Sequence, residues 1–174
     1  MVVEEGKPIP DFEALSTSGE LFHPNHLLGK KCVLYFYPKD DTPGCTREAQ
    51  GFRDAYEQFQ ALSCEIFGVS RDSMASHLRF KEKYQLPFEL LADENALLCN
   101  LFGVIKIKKM YGRESLGVER STFVIDEHGI LRKAWRNVKG RWSCRASTSI
   151  FTNSRAPWTT LKKAKNYLYW IPMF

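Results

Sequence analysis

An α/β protein with a mixed central sheet flanked by helices is expected from three patterns in the sequence. Apolar runs at 32–37, 65–70 and 121–125 are typical of buried strands. Segments with apolar residues at spacings of three and four alternate with these runs and predict helices. A pair of strand-like segments near residue 130 is joined by a short turn. The 174 residues, of which 44% are hydrophobic, can form one domain with a sizeable core.

The first elements surround the strand expected at the centre of the sheet. Residues 12–16 and 20–22 flank Thr17-Ser18-Gly19 and predict a small hairpin. Residues 25–29 form a short connection or helical turn. The near-continuous apolar run 32–37 predicts a strand buried on both faces.

Two helices and a strand are expected next. A helix is predicted from residue 45 to about residue 61, because apolar side chains recur along one face at Phe52, Ala55, Tyr56, Phe59 and Leu62. A second buried strand follows at 65–70. Asp72 or Ser73 then caps a helix that runs to about Gln85.

The remaining elements complete the sheet. Leu90-Leu91 predicts a short strand, and Asp93 caps a helix through about Phe102. Residues 121–125 and 130–135 flank Asp126-Glu127-His128-Gly129, which predicts a hairpin. Lys106-Ile107-Lys108-Lys109 is interpreted as a solvated loop.

The charge distribution divides the chain. All 20 acidic residues and 15 of the 25 basic residues lie in 1–127, and the other 10 basic residues lie in 128–174. Helical and strand periodicity are lost near residue 140. We therefore predict a domain over 1–140 and a basic, aromatic tail over 141–174. No motif predicts a nucleic-acid partner, and no apolar stretch is long enough to cross a membrane.

The cysteines indicate reduced thiols. The chain has five cysteines, at positions 32, 45, 64, 99 and 144. Their number is odd, and no two of them have CxxC spacing. This pattern argues against a disulfide framework, a zinc site and a dithiol pair. The first residues lack a secretory signal pattern, so a cytoplasmic protein is expected. The four histidines lie in polar contexts, and none is interpreted as a metal ligand or general base.

Cys45 is the candidate reactive group. It follows the central strand through a loop rich in Pro, Asp and Gly, and it opens the helix predicted from residue 45. A thiol at a helix N-terminus lies at the positive end of the helix dipole, which favours the nucleophilic thiolate. The loop also lies at the carboxyl end of a strand, where sites form in open α/β sheets.

Four neighbours could assist Cys45. Gly44 permits close approach of a ligand to the backbone, and the Thr42 hydroxyl could donate to the sulfur or to a bound oxygen. If Arg120 reaches Cys45, its fixed charge would favour the thiolate and stabilise an oxyanion leaving group. Glu48 lies one helical turn after Cys45 and could orient that arginine.

These residues resemble a known family. The spacing of Pro38, Thr42 and Cys45 matches the PxxxTxxC signature of peroxiredoxins. The longer stretch YFYPKDDTPGCT closely resembles the bacterioferritin comigratory protein, or PrxQ, branch. GVSRD, LAD and ERSTFVID follow in the same order as in that branch, so the resemblance spans about residues 3–140.

The resemblance implies a thioredoxin-like fold and a thiol peroxidase that reduces hydrogen peroxide and alkyl hydroperoxides in antioxidant defence. Cys45 would be the peroxidatic nucleophile that becomes a sulfenic acid, Thr42 and Arg120 would position the peroxide, and Pro38 would shield the site from water. Thioredoxin is the implied reductant and a monomer the implied state. No metal or organic cofactor is required.

The resolving cysteine of the branch is missing from its usual places. Five residues after Cys45 stands Gln50, and the helix predicted over 73–85 contains no cysteine. Cys64 should lie ~25 Å from the start of the helix before it, and Cys32 ~16 Å along the central strand. Both are expected to be buried core residues.

Cys99 and Cys144 remain as candidate resolving residues. Cys99 lies among leucines and cannot be placed from the sequence, and Cys144 lies in the tail. The preferred hypothesis is a one-Cys enzyme recycled by an external thiol. A second hypothesis is that Cys144 acts as an unusual resolver. Two other functions stay open, a redox-sensing or thiol-exchange module without efficient turnover and a binding protein that works through its tail.

Overall fold

A computed structural model describes residues 2–110 and 113–138 of the chain. Within these residues, nine strands alternate with four α-helices. The strands are β1 Ala14–Ser16, β2 Leu21–Phe22, β3 Lys31–Phe36, β4 Cys64–Ser70, β5 Glu89–Ala92, β6 Ile105–Met110, β7 Arg113–Val118, β8 Ser121–Ile125 and β9 Leu131–Arg136. The helices are α1 Pro43–Asp54, α2 Tyr56–Ala61, α3 Met74–Tyr84 and α4 Leu97–Leu101, and a 3₁₀ turn spans Pro24–Leu27. The predicted tail over 141–174 lies outside the described residues.

Seven of these strands form one mixed sheet in the order β2-β1-β5-β4-β3-β8-β9. The β3–β4 and β4–β5 pairs are parallel, and the other pairs are antiparallel. The helix-flanked parallel centre and the antiparallel edges confirm the predicted α/β class. In the described part of the chain, no helix is long and apolar enough to cross a membrane.

Strand β3 divides the core into two apolar clusters, because alternate side chains of a strand point to opposite faces of the sheet. Cys32, Leu34 and Phe36 belong to one cluster. Val33, Tyr35 and Tyr37 belong to the other. The burial of the whole strand explains why its sequence is a continuous apolar run.

The helix predicted from residue 45 to about 61 differs from the structure in two ways. It begins earlier, at Pro43, and it is interrupted at Ala55, whose φ of −96° and ψ of 3° depart from helical values. Helix α2 then starts at Tyr56. The apolar spacing continues across the break because both helices cover the same face of the sheet, so the sequence pattern did not reveal it.

The interpretation of residues 106–109 as a loop is wrong. These residues belong to β6, which pairs antiparallel with β7 in a separate two-stranded sheet. Ile107 lies opposite Leu116, and each side chain is 64% exposed. Because neither strand is covered on this face, the hairpin lacks the apolar run that identified the buried strands.

Candidate active site

Cys45 lies in the first turn of α1, directly beyond the carboxyl end of β3. Thr42 is the residue before the helix and has an extended backbone, with φ −98° and ψ 151°. Pro43 occupies the first helical position, where its fixed φ suits a helix and its missing N–H costs no hydrogen bond. The loop sequence therefore places the thiol among the unpaired N–H groups of a helix start.

The structure brings Arg120 and Glu48 to Cys45. Arg120 lies between β7 and β8, and its Nη2 donates to Cys45 Sγ at 3.1 Å. Its Nη1 donates to Glu48 Oε2. A single guanidinium thus contacts both the thiol and a carboxylate, so Glu48 lies where it could orient Arg120.

These three side chains form a largely buried charged cluster. Cys45 is 2% exposed, and the side chains of Glu48 and Arg120 are 0% and 14% exposed. Burial alone would lower the pKa of Arg120, but the negative charges of Glu48 and Cys45 outweigh it and raise that pKa. Arg120 therefore remains a cation, and its side chain is the most exposed of the three.

The other predicted site residues lie in the loop between β3 and α1 or in the first turn of α1. The Thr42 hydroxyl donates to the Lys39 carbonyl oxygen at 3.0 Å rather than to the sulfur. A Cβ built at Gly44 would lie 3.4 Å from Arg120 Nη2, in ordinary van der Waals contact, so Gly44 lies next to the guanidinium. Pro38 is half-buried at the start of the same loop.

A second polar cluster next to the loop was missed by the sequence analysis. Asp40 is buried and receives hydrogen bonds from Tyr37 Oη at 2.7 Å and from Ser76 Oγ at 2.8 Å. His77 Nδ1 lies 2.9 Å from Asp40 Oδ2, and the imidazole is fully buried. From the sequence, all four histidines lie in polar contexts and none is given a role, whereas in the structure His77 is fully buried. Its spacing of three from Phe80 was the signal that both face the core.

The remaining described cysteines lie away from Cys45. Cys32 and Cys99 belong to the apolar cluster on the opposite face of the sheet. Cys64 shares the face of Cys45 but pairs with Lys31 at the start of β3, ~16 Å along the strand from its end. The four described cysteines are free thiols. Cys32 and Cys64 are buried as expected, and Cys144 lies outside the described residues.

We expect iodoacetamide at neutral pH to label Cys45 well before Cys32, Cys64 and Cys99. Burial raises the pKa of Cys64 to about 12 and raises the pKa of Cys32 and Cys99 as well, so these three thiols are protonated at neutral pH, whereas the Arg120 cation contacts the sulfur of Cys45. Peptide mass spectrometry against time measures the four rates. A Cys144→Ser background removes the fifth thiol, and unfolding in denaturant serves as the control in which all four react. Labelling of Cys64 as fast as Cys45 would contradict this assignment.

A comparison with protein families finds one match that covers most of the chain. Residues 6–134 match the model of the AhpC/TSA family. Among curated proteins, the chain is 51% identical to peroxiredoxin Bcp of Bacillus subtilis over 139 residues, which cover 80% of this chain and 88% of that protein. It is 45% identical to a putative peroxiredoxin bcp of Coxiella burnetii over 139 residues, or 80% and 92% of the two chains.

Solved structures are similar over the same part of the chain. Peroxiredoxin Q of Xanthomonas campestris superposes with a TM-score of 0.79 at 38% identity, over 83% of this chain and 92% of that one. A cysteine-to-serine mutant of PrxQ from Xylella fastidiosa gives a TM-score of 0.84 at 32% identity, over 90% and 99% of the two chains. The sheet and its flanking helices are thus a thioredoxin-like fold, as expected.

Proposed function

Since the chain belongs to the AhpC/TSA family and is a thiol peroxidase of the Bcp/PrxQ type, we propose that Cys45 is its peroxidatic nucleophile, with Arg120 and Thr42 as the groups that position the peroxide. The contact of Arg120 Nη2 with Cys45 Sγ is the observation that carries this proposal. A related structure of the Xanthomonas campestris protein concerns alkyl peroxide reduction. We extend that substrate class, together with hydrogen peroxide, to this chain.

The first step is attack of the Cys45 thiolate on one oxygen of the peroxide. The S–O bond forms as the O–O bond breaks, so the sulfur is oxidised to a sulfenic acid and the peroxide is reduced to water or an alcohol. The departing oxygen carries negative charge in the transition state and takes the proton of the attacked oxygen. The sulfur is left as a sulfenate, which gains a proton from solvent to give the sulfenic acid. Positioning and electrostatic stabilisation suffice for such a step.

Arg120 is suited to stabilise both the thiolate and the departing oxygen. Its cation contacts the sulfur, and Glu48 fixes the plane of the guanidinium from the buried side. The Thr42 hydroxyl places its hydrogen on the Lys39 carbonyl, which leaves its lone pairs able to accept from the peroxide O–H. Gly44 permits close approach of the peroxide to the backbone, and Pro38 limits access of water.

We further propose that the sulfenic acid is reduced by an external thiol such as thioredoxin. The thiol would displace water to form a mixed disulfide with Cys45, and a second thiol would release the reduced enzyme. Cys99 lies on the opposite face of the sheet and Cys64 at the far end of β3. Among the described cysteines, none is therefore placed to resolve Cys45 without extensive unfolding.

The proposed site needs no second chain, because Cys45, Glu48 and Arg120 all belong to one chain. This completeness supports a monomer as the working state. The free thiols support a reducing compartment such as the cytoplasm.

Turnover of the Cys99→Ala and Cys144→Ser variants tests the recycling route. With thioredoxin, thioredoxin reductase and NADPH, we expect each variant to consume peroxide at the wild-type rate, because neither thiol takes part. A dithiol such as dithiothreitol in place of thioredoxin is the control for damage to the peroxidatic step. A variant that keeps its rate with dithiothreitol but loses turnover with thioredoxin would identify the replaced cysteine as the resolver and overturn the one-Cys route.

A further inference from the structure

The loop that carries the active site is tied to α3 by a buried polar cluster. Asp40 lies two residues before Thr42 and five before Cys45. Its carboxyl group accepts from Tyr37 on one oxygen and from Ser76 on the other, and it also contacts the His77 ring. Its backbone N–H donates to Asp72 Oδ2 at 2.9 Å, just before α3 begins. Both the side chain and the backbone of Asp40 are therefore held by α3 and its N-terminal connection.

The partners of His77 define its charge. Nε2 lies 3.2 Å from the Leu91 carbonyl oxygen, which can only accept a hydrogen bond, so Nε2 carries a hydrogen. Nδ1 lies 2.9 and 3.2 Å from the two Asp40 carboxyl oxygens. The Tyr37 hydroxyl is also 3.4 Å from Nδ1, but its hydrogen is directed to Asp40 Oδ1 at 2.7 Å. Two hydroxyl donors already occupy that carboxyl group, as expected for its ionised form. Both ring nitrogens thus face acceptors, which corresponds to an imidazolium beside a carboxylate.

The groups around the pair are consistent with this assignment. Burial raises the pKa of Tyr37, and the neighbouring Tyr35 and Asp40 raise it further, so the Tyr37 hydroxyl remains a neutral donor. Asp72 is the other facing acid. Its Oδ2 accepts hydrogen bonds from Ser70 Oγ at 2.6 Å and from the Asp40 N–H at 2.9 Å.

We propose that His77, as an imidazolium paired with Asp40, is a positioning residue that fixes the loop carrying Thr42 and Cys45. This inference rests on the proposed role of Cys45 and goes beyond it, because it assigns a function to α3. A buried charge whose partner is removed is strongly unfavourable, so the pair holds the loop in one arrangement. Helix α3 contains no cysteine, and recycling by an external thiol does not require it to move.

A second contact between the same two elements provides a matched control. Lys83 Nζ lies 2.7 Å from Asp41 Oδ2, and these side chains are 56% and 48% exposed. Exposed ion pairs contribute little to stability, because water solvates both charges. Replacing Lys83 therefore removes a contact between the loop and α3 without disturbing the buried pair.

The test compares His77→Leu, Asp40→Ala, the double variant and the control Lys83→Met. For each reduced protein, stopped-flow kinetics measures the rate with hydrogen peroxide, and peptide mass spectrometry measures alkylation of Cys45 by iodoacetamide. We expect each single variant of the pair to lower the peroxide rate ~10–100-fold, because that reaction requires aligned positioning groups and alkylation does not. The alkylation rate of Cys45 should change much less. The double variant should react with peroxide no more slowly than the slower of the two single variants. Lys83→Met should have the wild-type value of both rates.

Two results would overturn the proposal. One is a His77→Leu variant whose rate with peroxide is within about twofold of the wild-type rate. If the wild-type rate still depends on Cys45, this result overturns the role of His77 and leaves the proposed function intact. The other is a neutral His77 ring in the wild-type protein by ¹⁵N NMR at neutral pH. If His77→Leu does not fold, His77→Gln, which retains one donor, and the NMR measurement decide the question. Loss of Cys45 dependence in the wild-type protein would instead contradict the proposed function.

Discussion

Replacement of Cys45 by serine is expected to lower the rate of peroxide reduction at least ~10³-fold, because the hydroxyl is not ionised at neutral pH and cannot replace the thiolate as nucleophile. The measurement is peroxide consumption with dithiothreitol as the reductant. Serine has nearly the same size as cysteine, and Cys45 is buried beside Ala49 and Phe52 in one apolar cluster. The fold should therefore be retained.

Cys64→Ser is the matched control for this experiment. Cys64 is as buried as Cys45 and lies in the same cluster, but at the far end of the central strands. Its replacement should leave the rate of the folded protein near that of wild type. Substantial peroxide reduction by Cys45→Ser would show that another thiol carries the reaction.

Replacement of Arg120 by methionine is expected to reduce the peroxide rate ~10²–10³-fold, the usual cost of removing a group that stabilises a developing negative charge. It should also destabilise the protein, because the fully buried Glu48 would lose its ion pair with Arg120. The free energy of unfolding from denaturant titration and the second-order rate with peroxide measure the two effects.

The double variant Glu48→Gln/Arg120→Met separates these effects. A neutral amide in place of the Glu48 carboxylate removes the buried negative charge that Arg120 offsets, so stability should recover in large part. Activity should not recover, because the cation at Cys45 Sγ is still absent. Recovery of both properties would mean that Arg120 serves only to neutralise Glu48. The peroxide rate of Arg120→Lys should lie between those of wild type and Arg120→Met. Lysine keeps the positive charge but cannot contact the sulfur and the carboxylate with one planar group.

The sequence predicted the elements whose patterns depend on burial. The continuous apolar run of β3 and the turn between β8 and β9 both follow from local chemistry, and the structure contains them at the expected places. The hairpin of β6 and β7 was missed because it lies apart from the main sheet with exposed apolar side chains. Exposed apolar residues such as Ile107 and Leu116 do not form the continuous apolar run that marks a buried strand.

The site was partly predictable for a similar reason. Thr42, Cys45 and Glu48 lie within one loop and one helical turn, so their proximity follows from spacing alone. Arg120 is 75 residues from Cys45, and only the pairing of β3 with β8 brings it to the thiol. The Asp40–His77 pair joins residues 37 apart through tertiary packing, which no local pattern encodes.

The most direct test of the central claim is the intact mass of the reduced protein after one equivalent of hydrogen peroxide, followed by tryptic mapping. The one-Cys mechanism predicts a gain of one oxygen at Cys45 that a sulfenic-acid reagent traps. Loss of two hydrogens, with Cys45 linked to Cys99 or Cys144, would contradict the one-Cys route and identify an internal resolver. No modification of Cys45 while peroxide is consumed would contradict its assignment as the nucleophile.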